Sequence, residues 1–231
     1  MLDLKEVTED YSVYDYQKDA RKAIKDITSR GKRVIIVGGT GLYIKAALYD
    51  YRFPTQEKKN NYDNYSLEEL IEKIKEYNIQ EIDTHNRRRL ERLLQKLEEG
   101  KEISFNKDEA LYPHTVIGLT TNRDKLYSII NNRVDKMIEN GLLNEINSLK
   151  DYYPKSRILN SGIGYKEFND YLFKDQSLEE TIEKVKLNSR RFAKRQYTFF
   201  KHQFPTTWYE VNYKDFNKTI DLIYNDLKKE D

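Results

Sequence analysis

Apolar residues recur along this chain at helical spacing, interrupted by a few short runs that predict strands. Apolar positions three or four residues apart, with polar residues between them, are typical of amphipathic helices. Such stretches run from Ser12 to Gly31, Ser66 to Ile74, about Asn86 to Glu99, Asn122 to Gly141, Leu143 to Leu149, Leu178 to about Lys201, and Ile220 to Leu227. The runs that predict strands are Met1–Val7, which alternates only weakly, Val34–Val37, Thr115–Leu119 and Thr207–Val211. The pattern predicts an α/β fold built on a parallel sheet.

A glycine-rich turn joins the second predicted strand to a helix. The four consecutive apolar residues Val34–Val37 predict a strand buried on both faces. Gly38, Gly39 and Gly41 then allow a turn that other residues do not readily make. Open α/β sheets bind ligands at the carboxyl ends of their strands, where this turn is expected to lie. Within the turn, Thr40 offers a hydroxyl next to the backbone amides that begin the helix. A tight turn without a ligand fits the glycines equally well, and no Gly-Lys-Ser/Thr follows them as in a Walker A loop.

A helical stretch without predicted strands interrupts the α/β pattern. Residues 53–111 contain two helical patterns and no strand, so they predict a small inserted helical domain. The α/β core then consists of residues 1–52 and 112–231. Its four predicted strands are fewer than the roughly five or six of a typical sheet, and we therefore expect an N-terminally incomplete core.

Composition favours a folded chain without disulfides. Of the 231 residues, 35% are charged, while 19 tyrosines and nine phenylalanines supply apolar area for a core. With no cysteine and only three histidines, neither a disulfide framework nor a zinc site is expected. No apolar run reaches membrane-spanning length, so we expect a cytoplasmic protein without membrane contact. Because the net charge is only +2, affinity for nucleic acid would depend on local basic clusters.

Two helices concentrate basic residues. The insertion helix begins with Arg87, Arg88, Arg89 and Arg92, which either follow a phosphate backbone or form a solvated face balanced by nearby glutamates. The long helix near the C-terminus interleaves seven basic residues with aromatic rings, a pattern that favours RNA binding. These seven residues are Lys184, Lys186, Arg190, Arg191, Lys194, Arg195 and Lys201.

Arg133 is a charged residue on the apolar stripe of its helix. It lies seven residues after Leu126, three after Ile130 and four before Met137. A guanidinium at such a position either extends along the helix to the surface or meets an anion in a cleft. Burial without a partner would cost several kcal/mol, about 3–5 for an uncompensated charge.

Six short motifs have the order and spacing of one enzyme family. They are Leu2-Asp3-Leu4 with Tyr11–Tyr16, then Val37–Tyr43, Asn86–Arg92, Arg123–Leu142, Gly162–Lys166 and Ala193–Thr198. Each motif alone is weak, but together they span almost the whole chain. In this combination the sequence closely resembles the tRNA dimethylallyltransferases, also called isopentenyl-diphosphate:tRNA transferases.

The resemblance implies a P-loop-kinase-like parallel sheet core and an inserted helical domain that swings over the tRNA anticodon arm. Such enzymes transfer a dimethylallyl group from dimethylallyl diphosphate to N6 of an adenosine next to the anticodon, and they release pyrophosphate with Mg²⁺. The adenine is flipped into the active site, as chemistry on a nucleic-acid base generally requires. A monomer acting on the tRNA anticodon stem-loop is expected.

The resemblance also implies residue roles. Thr40 and Arg133 are the expected catalytic residues, Thr40 contacting the target nucleotide and Arg133 stabilising the departing pyrophosphate. Gly38, Gly39 and Arg133 are expected to bind the diphosphate, and no residue is assigned to a metal. The expected tRNA-binding set is Arg88, Arg89, Arg92, Ser161, Gly162, Gly164, Tyr165, Lys166, Lys194, Arg195 and Gln196.

Departures from the family pattern leave two hypotheses open. Family members have a Walker-A-like loop for the diphosphate and then an Asp-Ser motif whose Asp is the general base. Neither is present in this sequence, and we expect Met1 to align downstream of both. The chain is then either a prenyltransferase or a catalytically incomplete fragment that binds the anticodon stem-loop without modifying it. A small-molecule kinase is disfavoured, because the sequence has no Gly-x-x-x-x-Gly-Lys loop and the basic helices would be unexplained.

Overall fold

The computed structural model of this protein describes residues 4–51, 53, 62–79, 87–100 and 109–230. Its contacts divide the chain into two compact units, Met1–Tyr49 with Ala110–Asp231, and Asp50–Glu109. The insertion predicted at residues 53–111 falls within the second unit except for its last two residues. The swinging motion expected of it stays a prediction.

Helices dominate both units. In chain order the helices are α1 (Val13–Ser29), α2 (Gly41–Leu48), α3 (Leu67–Lys75), α4 (Arg87–Glu98), α5 (Arg123–Glu139), α6 (Leu142–Ser148), α7 (Arg157–Ser161), α8 (Phe168–Phe173), α9 (Leu178–Gln203) and α10 (Phe216–Glu230), and the strands are β1 (Val116–Thr120) and β2 (Thr206–Glu210). A short 3-10 turn at Lys150–Tyr152 follows α6. The structure is therefore of the mixed α/β class, and it confirms the helices predicted from hydrophobic spacing.

The two strands pair in parallel, as the sequence predicted for this class. Val116 lies opposite Thr206, and Gly118 lies opposite Trp208. A Cβ atom at Gly118 would come within 2.6 Å of the Trp208 ring, so this position needs glycine to let the indole cross the neighbouring strand.

Helix α10 covers one face of β2. Tyr209 is buried and donates its hydroxyl hydrogen bond to Asp226 of α10 over 3.3 Å. The buried Thr219 hydroxyl accepts a hydrogen bond of 2.9 Å from the backbone N–H of Asn212. These contacts fix the C-terminal helix against the sheet.

The predicted strand Val34–Val37 is not a strand among the described residues. The segment has no hydrogen-bonded strand partner there. Its side chains alternate instead of being buried on both faces, since Ile35 and Val37 are 85% and 91% exposed. Val34 and Ile36 pack against a core cluster on the other side. An extended segment becomes a strand only through neighbours that supply its hydrogen bonds, and hydrophobic pattern alone does not reveal whether a neighbour is present.

The weakly alternating N-terminal run also forms no strand in its described part, Leu4–Val7. Met1–Asp3 lie outside the described residues. Of the four predicted strands, the two near residues 116 and 206 are therefore the ones the structure confirms.

Two core clusters organise the first unit. One cluster consists of Ile24, Ile44, Leu48 and Phe204, with Val34, Ile36, Tyr49, Tyr112, Val116, Phe199 and Phe200 packed against it. The other consists of Val134, Leu142, Ile146, Phe168 and Val185. Helix α9 contributes to both, with Val185 near its beginning and Phe199 near its end. Val185 is buried and Phe199 is partly buried, so α9 packs against the core near both of its ends. A fully buried side chain of this kind contributes about 1.5–3 kcal/mol.

The second unit has its own small core. Helices α3 and α4 pack through Leu70, Ile74, Leu90 and Leu94, and Tyr62 closes the cluster. Ser66 is the N-cap of α3 and forms a capping box, in which its hydroxyl accepts a hydrogen bond from the backbone N–H of Glu69.

Candidate active site and nucleic-acid interface

The glycine turn ends at Thr40, the residue that immediately precedes α2. Thr40 is exposed and its side chain makes no capping hydrogen bond, while its carbonyl accepts from the N–H groups of Tyr43 and Ile44. The hydroxyl is therefore available next to the helix start, where amide groups favour a negatively charged partner.

Two of the glycines in the turn are closely packed, and none of the three has an unusual backbone angle. Gly38, Gly39 and Gly41 all lie outside the left-handed region. A Cβ atom at Gly39 would overlap the side-chain amide of Gln196, with its Cδ at 2.9 Å, and one at Gly41 would overlap the ring of Phe199, with Cε1 at 2.7 Å. At Gly38 nothing lies within 4 Å. The sequence suggested that all three glycines allow a turn that other residues do not readily make. In the structure, Gly39 and Gly41 instead lie where a side chain would meet Gln196 or Phe199 of α9.

Helix α9 therefore packs directly on the glycine turn. Gln196 was expected to contact tRNA, and the structure places its amide against Gly39 instead of in open solvent. Lys45 of α2 adds a hydrogen bond of 3.0 Å to Gln203 at the end of α9. The segment of α9 from Gln196 to Gln203 forms one wall of the turn.

Helix α1 holds the other end of α2. The buried Gln17 amide donates to the carbonyl of Ala46 over 2.9 Å. The Arg21 guanidinium donates to the carbonyls of Ala46 and Tyr49 at 3.1 and 2.6 Å. Carbonyls in the last turn of a helix have no partner within that helix, so these side chains supply donors that the end of α2 lacks. Because both ends of α2 are held, the position of Thr40 is fixed.

Arg133 lies in an open groove on α5. The groove has a volume of about 420 Å³ and is lined by Ile129, Asn132, Arg133, Lys136, Met137 and Asn140, all from α5 or its C-cap. Arg133 is exposed and makes no hydrogen bond or ion pair with the described residues. The guanidinium has thus reached the surface, one of the two outcomes that its place on an apolar stripe allowed.

Arg133 projects from α5 away from α9. Asn131 and Asp135 of α5 bond to Arg190 and Lys186 of α9, at 2.6 and 2.8 Å. Arg133 is two residues from each, which places it about 180° away from the side of α5 that faces α9. Thr40 lies beside α9, so the contacts of α9 bear on Thr40 and not on Arg133.

The basic residues of α9 divide into two groups. In its first half, Lys184 and Lys186 form ion pairs with acidic groups, and Arg190 donates to Asn131. In its second half, Arg191, Lys194, Arg195 and Lys201 are exposed and form no ion pair within the described part of the chain. The guanidinium of Arg195 lies 5.7 Å from the centre of the Phe192 ring. The cations of α9 that are available to an external anion therefore belong to the half that ends at the glycine turn.

The turn Gly162–Lys166 follows α7 and is held by several hydrogen bonds. Ser161 bonds back to the carbonyl of Arg157, and Gly162 ends the helix. Gly164 is buried with a φ of +94°, the one residue of this turn in the left-handed region. The Tyr165 hydroxyl donates to Glu145 over 2.6 Å. That hydrogen bond, followed by burial, raises the pKa of Tyr165 to about 12.

Glu167 is a residue of this region that the sequence analysis missed. Its side chain is 2% exposed and its two oxygens accept hydrogen bonds from Gly164 and from Asn188 of α9. The available signal was an acidic residue directly after the Gly162–Lys166 motif, but an acid near a turn is usually solvent-exposed. Its burial depends on the distant helix α9, which local sequence does not reveal.

The expected tRNA-binding arginines of the second unit lie on α4. Arg87, at the start of the helix, pairs with Glu91 over 2.7 Å and donates to the carbonyl of Tyr62. Arg89 and Arg92 are exposed, and the side chain of Arg88 lies outside the described part. At least one of the four arginines thus has a structural role within its own unit.

Two general features bear on ligands and location. None of the described helices is long and apolar enough to cross a membrane. Among the described residues, no three or more histidine, aspartate or glutamate side chains are grouped so that they could hold a metal ion.

Comparison with known proteins adds a family to this geometry. The family model described as IPP transferase matches residues 1–203. A protein of Anoxybacillus flavithermus named tRNA dimethylallyltransferase is 41% identical over 223 residues, which cover 91% of this chain and 72% of that protein. A protein of the same name from Streptococcus gordonii is 42% identical over 237 residues, covering 99% and 79%.

Two solved structures share the fold. The full-length tRNA isopentenylpyrophosphate transferase of Bacillus halodurans superposes with a TM-score of 0.71 at 35% identity, covering 98% of this chain and 76% of that chain. The tRNA delta(2)-isopentenylpyrophosphate transferase of Staphylococcus epidermidis gives 0.70 at 32% identity, covering 99% and 80%.

Proposed function

Because this chain belongs to the IPP transferase family, we propose that it transfers a dimethylallyl group from dimethylallyl diphosphate to N6 of an adenosine next to the anticodon of a tRNA. In this reaction the N6 nitrogen forms a bond to the allylic carbon while that carbon's bond to the diphosphate oxygen breaks. Pyrophosphate leaves with the electron pair, and one proton is released from N6. We propose the cytoplasm as its compartment.

The observation that supports the proposal most directly is the arrangement of α9. Gln196 and Phe199 pack on the glycine turn, and the unpaired Arg191, Lys194 and Arg195 belong to the adjoining turns of the same helix. A phosphate backbone bound by these cations would lie along the same helix that packs on the turn presenting Thr40. The target base would be flipped from that backbone toward the Thr40 hydroxyl.

The proposed catalytic roles follow from this arrangement. Thr40 contacts the target nucleotide through a hydroxyl that caps no amide. Arg133 stabilises the negative charge that develops on the departing pyrophosphate, because its guanidinium has no partner within the described residues. The contacts support the role of Thr40 more directly, since Arg133 lies on the side of α5 that faces away from α9.

Mg²⁺ is the proposed cofactor of the diphosphate. The described carboxylates form no cage for it, and Mg²⁺ commonly coordinates substrate phosphates and water with few protein ligands. The proposed roles therefore involve only side chains of this chain.

The exposed cations in the second half of α9 account for RNA binding whatever the chemistry at the glycine turn. The alternative function is a module that binds the tRNA anticodon stem-loop without prenylating it, which uses α9 in the same way.

A transfer assay separates the two functions. The chain is incubated with radiolabelled dimethylallyl diphosphate, Mg²⁺ and an anticodon stem-loop, beside a stem-loop in which inosine, which lacks the N6 amine, replaces the target adenosine. Label on the adenosine stem-loop alone supports transfer. Binding by fluorescence anisotropy without label incorporation supports the binding module, and absence of both outcomes refutes both proposals.

A further inference from the structure

Glu167 is a buried carboxylate that joins two parts of the proposed RNA-binding surface. It directly precedes α8, and its side chain is 2% exposed. Oε2 accepts a hydrogen bond of 2.9 Å from the backbone N–H of Gly164, and Oε1 accepts one of 2.8 Å from the Nδ2 atom of Asn188. One side chain thus links the Gly162–Lys166 turn to α9.

The turn depends on this acceptor. Gly164 is buried and has a φ of +94°, so its N–H group belongs to no helix or strand. A buried backbone N–H without an acceptor is strongly unfavourable, and a carboxylate is a stronger acceptor than a neutral group. The ammonium group of Lys166 lies 4.0 Å from Oε1 and offsets part of the buried charge, while its side chain stays 37% exposed. The backbone at Lys166 is therefore held in place, while its side chain remains accessible to solvent.

Asn188, which links Glu167 to α9, lies on the same face of that helix as two of its unpaired cations. Arg191 is three residues and Arg195 seven residues after Asn188, so all three share one face of the helix. The turn that Glu167 holds is thus joined to the basic face of α9 and not to its opposite side.

We propose that Glu167 is a positioning residue that holds Lys166 and the basic face of α9 in one fixed arrangement for successive RNA phosphates. The inference rests on the proposed function, because it assumes that this face binds RNA. It assigns the carboxylate no contact with RNA. A negative charge close to bound RNA would by itself weaken binding, so its benefit lies in the geometry that it imposes.

The sign of the effect of Glu167→Ala provides the test. Removal of a carboxylate from an RNA-binding surface ordinarily raises affinity. We expect Glu167→Ala instead to weaken binding of an anticodon stem-loop about tenfold and to reduce the slope of log K against log salt by about one, as for the loss of one phosphate contact. Glu179→Ala, which removes an exposed carboxylate at the start of α9, should leave affinity unchanged or slightly higher.

Two further variants separate positioning from loss of folding. Glu167→Gln keeps an oxygen that accepts from the Gly164 N–H group. Its amide nitrogen can donate to the side-chain carbonyl of Asn188 once the Asn188 side-chain amide rotates by about 180°. This variant should therefore bind the stem-loop with an affinity within about threefold of the native chain. Asn188→Ala removes only the link to α9 and should weaken binding in the same direction as Glu167→Ala. It provides the affinity test if Glu167→Ala does not fold.

Hydrogen exchange at the Gly164 amide gives a readout that does not require RNA. Exchange should be at least about tenfold faster in Glu167→Ala and nearly native in Glu167→Gln and Asn188→Ala, which both keep an acceptor for this amide. Unaltered affinity and salt slope in the variants, with a native chain that binds RNA, would overturn the positioning role. A native chain that does not bind the stem-loop would instead refute the proposed function, and the exchange data would still report on the contact.

Discussion

The aromatic ring of Phe199 occupies the space that a side chain at Gly41 would need. A Cβ atom there would overlap the ring edge and lie 2.7 Å from Cε1. Phe199 is itself packed against Phe200 and Phe204, with ring centres 6.3 Å apart in both pairs. The first residue of α2 and the end of α9 are therefore fitted to each other, and this fit sets the distance between Thr40 and the basic face of α9.

Substitutions in the turn should have graded effects on stability. Gly41→Ala should lower the free energy of unfolding by about 1–3 kcal/mol, because the ring of Phe199 has little room to move. Gly38→Ala is the matched control, since nothing lies within 4 Å of the point that its Cβ atom would occupy and its φ is not positive. It should change stability by no more than about 0.5 kcal/mol. Urea unfolding followed by circular dichroism measures both, and equal effects would contradict the packing argument.

The extended segment before the turn offers a second matched pair. Ile36 packs against the core cluster of α2 and Phe204, while the adjacent Ile35 is 85% exposed. Ile36→Ala should cost about 2 kcal/mol or more of unfolding free energy, and Ile35→Ala about 0.5 kcal/mol or less. Equal losses in chemical denaturation would show that both faces of this segment are covered in solution, as the hydrophobic run by itself predicts.

Local sequence predicted the helices well because their signals lie within a few residues. Ser12 and Ser66, where two of the predicted helical stretches begin, form capping boxes with Asp15 and Glu69, three residues further on. Whether Val34–Val37 forms a strand depends on neighbours distant in sequence, and the pattern of apolar residues does not contain that information. The same limit applies to the glycines, because the side chains that pack against Gly39 and Gly41 belong to residues more than 150 positions away.

The candidate site was predictable in its residue types but not in its partners. The seven basic residues of α9 were recognised as one cluster, yet the division into paired and unpaired halves depends on Asp135, Asp170 and Asn131 from other helices. Gln196 was grouped with the RNA contacts, whereas its amide packs on Gly39. Its role in RNA binding, like those of Thr40 and Arg133, stays a prediction.

The division of α9 predicts which cations bind RNA. Arg195→Ala should weaken binding of an anticodon stem-loop by about three- to tenfold at roughly 150 mM salt and reduce the salt slope by about one. Lys184→Ala on the same helix should change affinity by less than about twofold, because that ammonium already pairs with Asp170 at 3.7 Å. Fluorescence anisotropy titrations at several salt concentrations test both variants. Similar losses from the two would mean that overall charge, not the unpaired face, determines binding.

Alkaline pH should destabilise the first unit through two tyrosines next to the Gly162–Lys166 turn. Burial raises the pKa of Tyr153 to about 12, and the hydrogen bond to Glu145 raises that of Tyr165 to about 12, from an ordinary value of 10.0. Because the folded state favours the neutral phenol, the stabilisation is complete below pH 10 and is lost as the pH rises from 10 to about 12. The free energy of unfolding should therefore fall over this interval. In Tyr165→Phe its contribution is absent while those of Tyr153 and the other partly buried tyrosines remain, so the fall between about pH 9.5 and 11.5 should be smaller than in the native chain. Glu145→Gln, which keeps an acceptor but removes the charge, should give an intermediate result. Urea unfolding at a series of pH values measures this dependence, and an identical fall in Tyr165→Phe and the native chain would exclude Tyr165 as a source of it.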